Sequence, residues 1–177
     1  GGWLSLWLQE LGSQVTGFSL PAPTEPNLFT VANVSAAMQS VHGDIRDAAA
    51  LRVAIAEARP EIVLHLAAQP LVRRSYADPV ETYSTNVLGT VQVLDALRGS
   101  PGLRSVVIVT TDKCYENSDR PQAFREEDRL GGHDPYSSSK ACAELVVQSF
   151  RDSYFPASRH AEHGVGRGRL GGAEIAR

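Results

Sequence analysis

Lysine is nearly absent from this chain. Fifteen arginines are accompanied by only two lysines, Lys113 and Lys140. A guanidinium stays charged and serves surface charge well, whereas an ammonium can have its pKa lowered by burial. The scarcity therefore points to both lysines as chemical groups. Cysteine is equally scarce: Cys114 and Cys142 lack metal-type spacing and read as reduced thiols of a cytoplasmic protein. No run approaches the ~20 apolar residues of a membrane span, and no signal peptide is visible in the opening Gly1-Gly2-Trp3. A net charge of −3 removes the electrostatic reason to expect nucleic acid or an anionic membrane as partner.

What remains is ordinary for a globular protein: 177 residues, 42% hydrophobic and 21% charged, enough for one domain with a core or part of a larger one. Trp3, Leu4, Trp7, Leu8 and Leu11 fall at helical spacing before Gly12, which suits a helix C-terminus, and predict a core-facing helix. Val15 to Phe18 reads as a strand. Residues 20–40, with Pro21, Pro23 and Pro26, read as loop with at most a short helix. Ser40-Val41-His42 ends a strand, and Asp47 is placed to cap a helix running to Pro60. Ile62 to Leu66 and Val106 to Val109 are buried-type strands. Asp78-Pro79 opens a long helix over 80–97, and another is expected over 136–154. Strands alternate with helices and are apolar throughout, the pattern of a parallel sheet covered on both faces.

Tyr136 and Lys140 stand four apart on one helix face. An ammonium beside a phenol lowers the phenol pKa from about 10 towards neutrality and makes it a general acid/base. The bare spacing fits equally an aromatic packed beside a snorkelling lysine. Strand 106–109 runs into Thr110-Thr111-Asp112-Lys113, and strand 62–66 into Ala67-Ala68, so the pieces converge on the carboxyl edge of the sheet, where ligands bind in open α/β folds. His65 and His133 have no partner ligands near them in sequence, and His65 reads as a satisfied core histidine; no metal site is expected.

These segments, with Gly43-Asp44-Ile45-Arg46-Asp47, His65 to Tyr76, Asn86-Val87-Leu88-Gly89-Thr90, Thr111 to Asn117 and Gly131 to Lys140, resemble the extended short-chain dehydrogenase/reductase superfamily. Within it the likeness is to the nucleotide-sugar 4,6-dehydratases, the CDP-glucose type above all, over roughly residues 1–155. The resemblance implies an α/β, Rossmann-like doubly wound parallel sheet, incomplete at the N-terminus and lacking the C-terminal substrate domain. Residues 1–155 would be a partial NAD-binding domain and 156–177 an irregular Arg/Gly-rich tail of foreign or frame-shifted character.

The resemblance also implies roles. Tyr136 would take the proton of the sugar 4-hydroxyl as hydride passes from C4 to NAD, Lys140 would hold the nicotinamide ribose and depress the tyrosine pKa, and Thr111 would bond the same sugar oxygen. Asp112 would protonate the departing 6-hydroxyl. Lys113, where many relatives carry glutamate, would be the C5 base, or alternatively would orient Asp112 or a phosphate. Asp44 and Ile45 would bracket adenine; Ala67, Ala68, Gln69, Val109 and Thr110 would line the cofactor. Gly1 would be the last glycine of the phosphate loop. Asn86 would support Lys140 through water, or simply bond local backbone. Arg73 and Arg74 would face the substrate phosphates or be a solvated pair. The expected partner is a nucleotide sugar, CDP-glucose favoured, and the parent enzyme would be a homodimer through its two long helices. A UDP-sugar 4-epimerase, which needs no acid at Asp112, and a non-catalytic Rossmann remnant are the alternatives. As it stands the chain is expected to bind NAD poorly and turn over little.

Overall fold

The computed structural model describes residues 1–116 and 123–155 in full and the backbone of Arg167–Leu170 and Ala173–Ala176. Helix α1 (Gly2–Glu10) leads into β1 (Val15–Ser19) through Gly12, whose φ of +78° a glycine adopts without strain. A short helix α2 (Leu28–Val31) and a 3-10 turn (Val34–Ala37) precede β2 (Met38–His42). Asp47 caps α3 (Ala48–Ala58), accepting from the amides of Ala49 and Ala50. Next come β3 (Ile62–His65), α4 (Val72–Ala77), α5 (Pro79–Tyr83), a π-turn (Ser84–Leu88), α6 (Gly89–Leu97) and β4 (Ser105–Val109). A 3-10 turn (Asp112–Cys114) follows, and α7 (Pro135–Tyr154) closes the fully described part.

The elements match the alternation seen in the pattern, and the strand pairs are parallel: β1 with β2, and β3 with β4 from Ile62↔Ser105 to His65↔Ile108. These two pairs are not hydrogen-bonded to each other among the described residues. They share one core nonetheless, in which Ile45, Leu51, Val93, Leu94, Leu97, Val106, Ile108 and Val147 are buried and Phe18, Val63 and Ala67 pack alongside. Helix α6 packs between α3 and α7. Gly89 lets this happen, since a β-carbon there would come within 2.5 Å of the Ile45 side chain. Burial of each such Leu, Ile or Val contributes about 1.5–3 kcal/mol.

Two expectations need correction. Helix α1 buries no residue: Leu4 and Leu8 are half-buried, while Trp3, Trp7 and Leu11 are 75%, 63% and 65% exposed. Helical period made all five look alike, but Leu4 and Leu8 lie one turn apart on one line and Trp3, Trp7 and Leu11 on the adjacent one. Only the first line meets packed neighbours. The region 156–177, read as irregular, contains two strands, β5 (Arg167–Leu170) and β6 (Ala173–Ala176), with β6 antiparallel to β4 from Val106↔Ala176 to Val109↔Ala173. The outer edge of β4 offers unpaired backbone groups that a neighbouring segment can satisfy. The rest of that region, and Asn117 of the Thr111–Asn117 motif, lie outside the described residues.

Candidate active site

Parallel pairing puts the carboxyl ends of β3 and β4 side by side. From β3 the chain leaves through Leu66 to the half-buried Ala67 and Ala68 and the buried Gln69. From β4 it leaves through Thr110 and Thr111. Thr111 caps the 3-10 turn: its hydroxyl accepts from the Lys113 amide at 3.3 Å and donates to the Asp112 carboxylate at 3.1 Å. Asp112 and Lys113 are exposed on that turn, with Cys114 buried behind them.

Helix α7 begins beside this edge. Asp134 caps it, accepting from the Ser137 amide at 3.0 Å and hydroxyl at 2.6 Å. Burial alone would raise the Asp134 pKa, but the Ser137 bonds, helped by the Tyr136 amide and the Lys113 charge, hold it below the usual value. Gly132 passes against this first turn so closely that a β-carbon would lie 2.5 Å from Ser137 Cβ and Ser138 N.

The buried stripe of α7 runs Ser137, Ser139, Lys140, Ala141, Ala143, Glu144 and Val147. Lys140 is 6% exposed, and its Nζ donates to the Val109 carbonyl at 3.3 Å. Burial lowers its pKa, and the Glu144 charge works in the opposite direction. Glu144, 1% exposed, accepts a short hydrogen bond from the Thr110 hydroxyl. Tyr136 is half-buried one turn before Lys140.

A polar network joins these pieces from beneath. Asn86 Oδ1 accepts from the Gln69 amide at 2.8 Å, and its Nδ2 donates to the Gln69 carbonyl at 3.1 Å and to Ser139 Oγ at 2.9 Å. Ser139 Oγ in turn donates to the Tyr136 carbonyl at 2.7 Å, and Gln69 Nε2 donates to Thr82 Oγ1 at 2.9 Å. The π-turn widens the helix where Asn86 sits; such bulges are frequent at functional sites. His65 is buried and within 3.2 Å of Thr90 Oγ1. Because that hydroxyl donates to the Asn86 carbonyl, His65 Nε2 carries the proton. Burial, and secondarily the Lys140 charge, push the His65 pKa down to about 4.

Of the residues singled out above, Lys140 bonds Val109, whose neighbour Thr110 bonds Glu144, and Thr111, Asp112 and Lys113 follow on the same loop. Tyr136 joins them through α7, and Gln69 through Asn86, which meets Ser139, the neighbour of Lys140, rather than Lys140 itself. Ala67 and Ala68 flank this group at the end of β3. Ile45 is buried in the core against Gly89, and Asp44 is engaged by Arg46, whose Nη2 lies 2.6 Å away and lowers the carboxyl pKa. Gly1 is exposed and accepts from the Ser5 amide at 2.9 Å, as a helix start does. Arg74 pairs with Glu81 at 2.7 Å and Arg73 is exposed. Glu144 and Ser139 escaped the sequence reading; their positions four after and one before Lys140 were the available signal. Among the described residues no cluster of His, Cys, Asp and Glu could hold a metal ion, and no helix is long and apolar enough to cross a membrane.

Comparison with known proteins gives the family and the fold. The model of the family described as GDP-mannose 4,6 dehydratase matches residues 1–158. The CDP-glucose 4,6-dehydratase of Salmonella typhimurium is 52% identical over 166 residues, which are 94% of this chain and 46% of that protein. Among solved structures, a UDP-glucose 4-epimerase of Thermus thermophilus in complex with NAD is similar with a TM-score of 0.77 at 28% identity, over 88% of this chain and 48% of that one. A dTDP-glucose 4,6-dehydratase of Streptomyces venezuelae with NAD gives a TM-score of 0.74 at 28% identity, over 87% and 49%. The chain thus spans about half the length of these relatives.

Proposed function

The chain belongs to the GDP-mannose 4,6-dehydratase family, and from that premise we propose that it carries the catalytic half of an NAD-dependent nucleotide-sugar 4,6-dehydratase acting on CDP-glucose. The observation that carries the proposal is the buried Lys140, its Nζ on the Val109 carbonyl at the strand end, with Tyr136 one turn before it and the Thr111-Asp112-Lys113 turn beside it.

These residues suit the nicotinamide half of the cofactor. Ala67 and Ala68 leave room for a flat ring, and Lys140 has donors beyond the one directed at Val109. The adenosine half is poorly furnished, with Asp44 occupied by Arg46 and Gly1 held only as a helix start. When bound, NAD supplies a hydride acceptor that becomes the donor later in the cycle. The chain's own groups manage the protons. The Tyr136 phenol, one turn before Lys140, would remove the proton from the sugar 4-hydroxyl, and Thr111 would donate to the oxygen that becomes a ketone. That ketone acidifies C5–H, whose proton Lys113 would accept. Asp112 would protonate the 6-hydroxyl as it leaves as water; C6 would then recover the hydride taken from C4, and C5 would recover its proton from the Lys113 ammonium, so that the net change is loss of one water.

The exposed Asp112 and Lys113 favour this reading over a 4-epimerase, the reading supported by the likeness to the Thermus structure, because an epimerase requires no acid for a leaving hydroxyl. A homodimer is part of the proposal: the helices over 79–97 and 135–154 expose Val80 at 78%, Leu88 at 58% and Leu145 at 54%. A cytoplasmic location goes with it.

The test is a chimera in which this chain replaces the matching half of the Salmonella relative. It should convert CDP-glucose to the 4-keto-6-deoxy product, detected by its absorbance in alkali, and Tyr136→Phe should lower the rate by 10²-fold or more, on the order of a general acid/base contribution. A folded chimera that yields only a 4-epimer, or whose rate is indifferent to Tyr136, overturns the proposal.

A further inference from the structure

We propose that Glu144 is a positioning residue of this site, a buried counter-charge to Lys140 that also fixes the end of β4 through Thr110. As part of a dehydratase site this rests on the function proposed above; as a relation between two charges it rests on their one-turn spacing along the buried stripe of α7.

Lys140 and Glu144 lie one helical turn apart on the buried stripe of α7. They grip consecutive residues of one strand end, with opposite polarity: Lys140 donates to the Val109 carbonyl, and Glu144 accepts from the Thr110 hydroxyl. The helix is thereby latched to the residues that lead directly into Thr111 and Asp112. A carboxylate with 1% exposure is costly to keep. Val147, the next residue on the stripe, is buried and apolar, so an apolar side chain is tolerated on this face one turn later. A buried ammonium without a nearby negative charge sheds its proton. Lys140 must keep its proton to hold positive charge beside Tyr136, and Glu144, one turn along the same buried stripe, opposes its loss.

Two other titratable groups lie near Lys140: Tyr136 one turn before it on α7, and His65 on β3, which feels its charge; Asp112 and Lys113 follow on the turn after β4. His65 is neutral near pH 7, since its pKa lies at about 4. Asp112 and Lys113 are exposed and screened by water. Among the described residues, Glu144 is therefore the buried group of opposite sign on this stripe.

Because the chain has only two lysines, their Cε carbons give two resonances, and the test is an NMR titration of the 177-residue chain. Glu144→Gln should lower the Lys140 midpoint by about 1 unit or more, the effect of losing an opposite charge at close range. The Lys113 signal serves as control, and Glu144→Asp should restore most of the difference. A folded Glu144→Gln chain whose Lys140 midpoint is unmoved overturns the proposal. Where that variant fails to fold, the unmutated chain decides. Its Glu144 carboxyl carbon must show an inflection at the Lys140 midpoint, and a signal blind to that midpoint refutes the pairing. No cofactor or substrate enters the measurement, so its failure leaves the dehydratase reading standing, and an inactive chimera leaves this one standing.

Discussion

Replacement of Asn86 by alanine should cost this fold about as much as a large core truncation. The side chain is 2% exposed and makes three hydrogen bonds, one accepted from the Gln69 amide, one donated to the Gln69 carbonyl and one donated to Ser139 Oγ. Gln69 is itself buried, so its amide would lose a partner away from water. A stranded buried donor costs about 1–3 kcal/mol, and each of the other two bonds contributes about 0.5–1.5 kcal/mol. The sum is roughly 3 kcal/mol, a large part of the about 5–15 kcal/mol that stabilises a domain. With a urea slope of about 1–3 kcal/mol per molar, the midpoint should fall by on the order of 1 M or more. Asn86→Asp should be no better, because a carboxylate cannot donate to Ser139 or to the Gln69 carbonyl and brings a charge into a buried place. Arg104→Ala is the control: Arg104 and Glu61 lie 3.4 Å apart with both side chains more than 60% exposed, a pair worth about 0–1 kcal/mol. If urea unfolding followed by circular dichroism gives Asn86→Ala a midpoint shift no larger than that control, the network is not structural and the reasoning fails.

Gly132→Ala should destabilise by about 2 kcal/mol, an overpacking cost, because its β-carbon would press on backbone at the start of α7; a thermal midpoint equal to the parent's contradicts this. The buried His65 predicts acid sensitivity. Its folded pKa, about 4, lies below the unfolded value of about 6.5, so the unfolded chain binds more protons between them. Its contribution is fully present above about pH 6.5 and is lost as pH falls towards 4, amounting to at most roughly 3 kcal/mol by linkage. His65→Gln keeps the donor to Thr90 without titrating and should flatten the pH dependence of urea midpoints in that window; an unchanged slope refutes the assignment.

The local chemistry of the chain was readable before any tertiary structure. Asp47, Asp78 and Asp134 cap helices through bonds to amides two or three residues away, and such contacts depend only on neighbours in sequence. The β-branched run of β4 and the four-residue spacing of Tyr136 and Lys140 are likewise properties of a few adjacent residues. Tertiary packing decided the rest. Asn86 meets Ser139 across 53 residues and Glu144 meets Thr110 across 34, and no periodicity carries that information. Asp44 was open to an adenine by sequence, yet its nearest donor turned out to be Arg46. In α1 the pattern named five apolar positions without distinguishing the line that is packed from the line left bare. Sequence determines which face a residue occupies because helix and strand geometry is regular; what that face meets depends on how the elements assemble, and that is what buried the Lys140–Glu144 stripe against the end of β4.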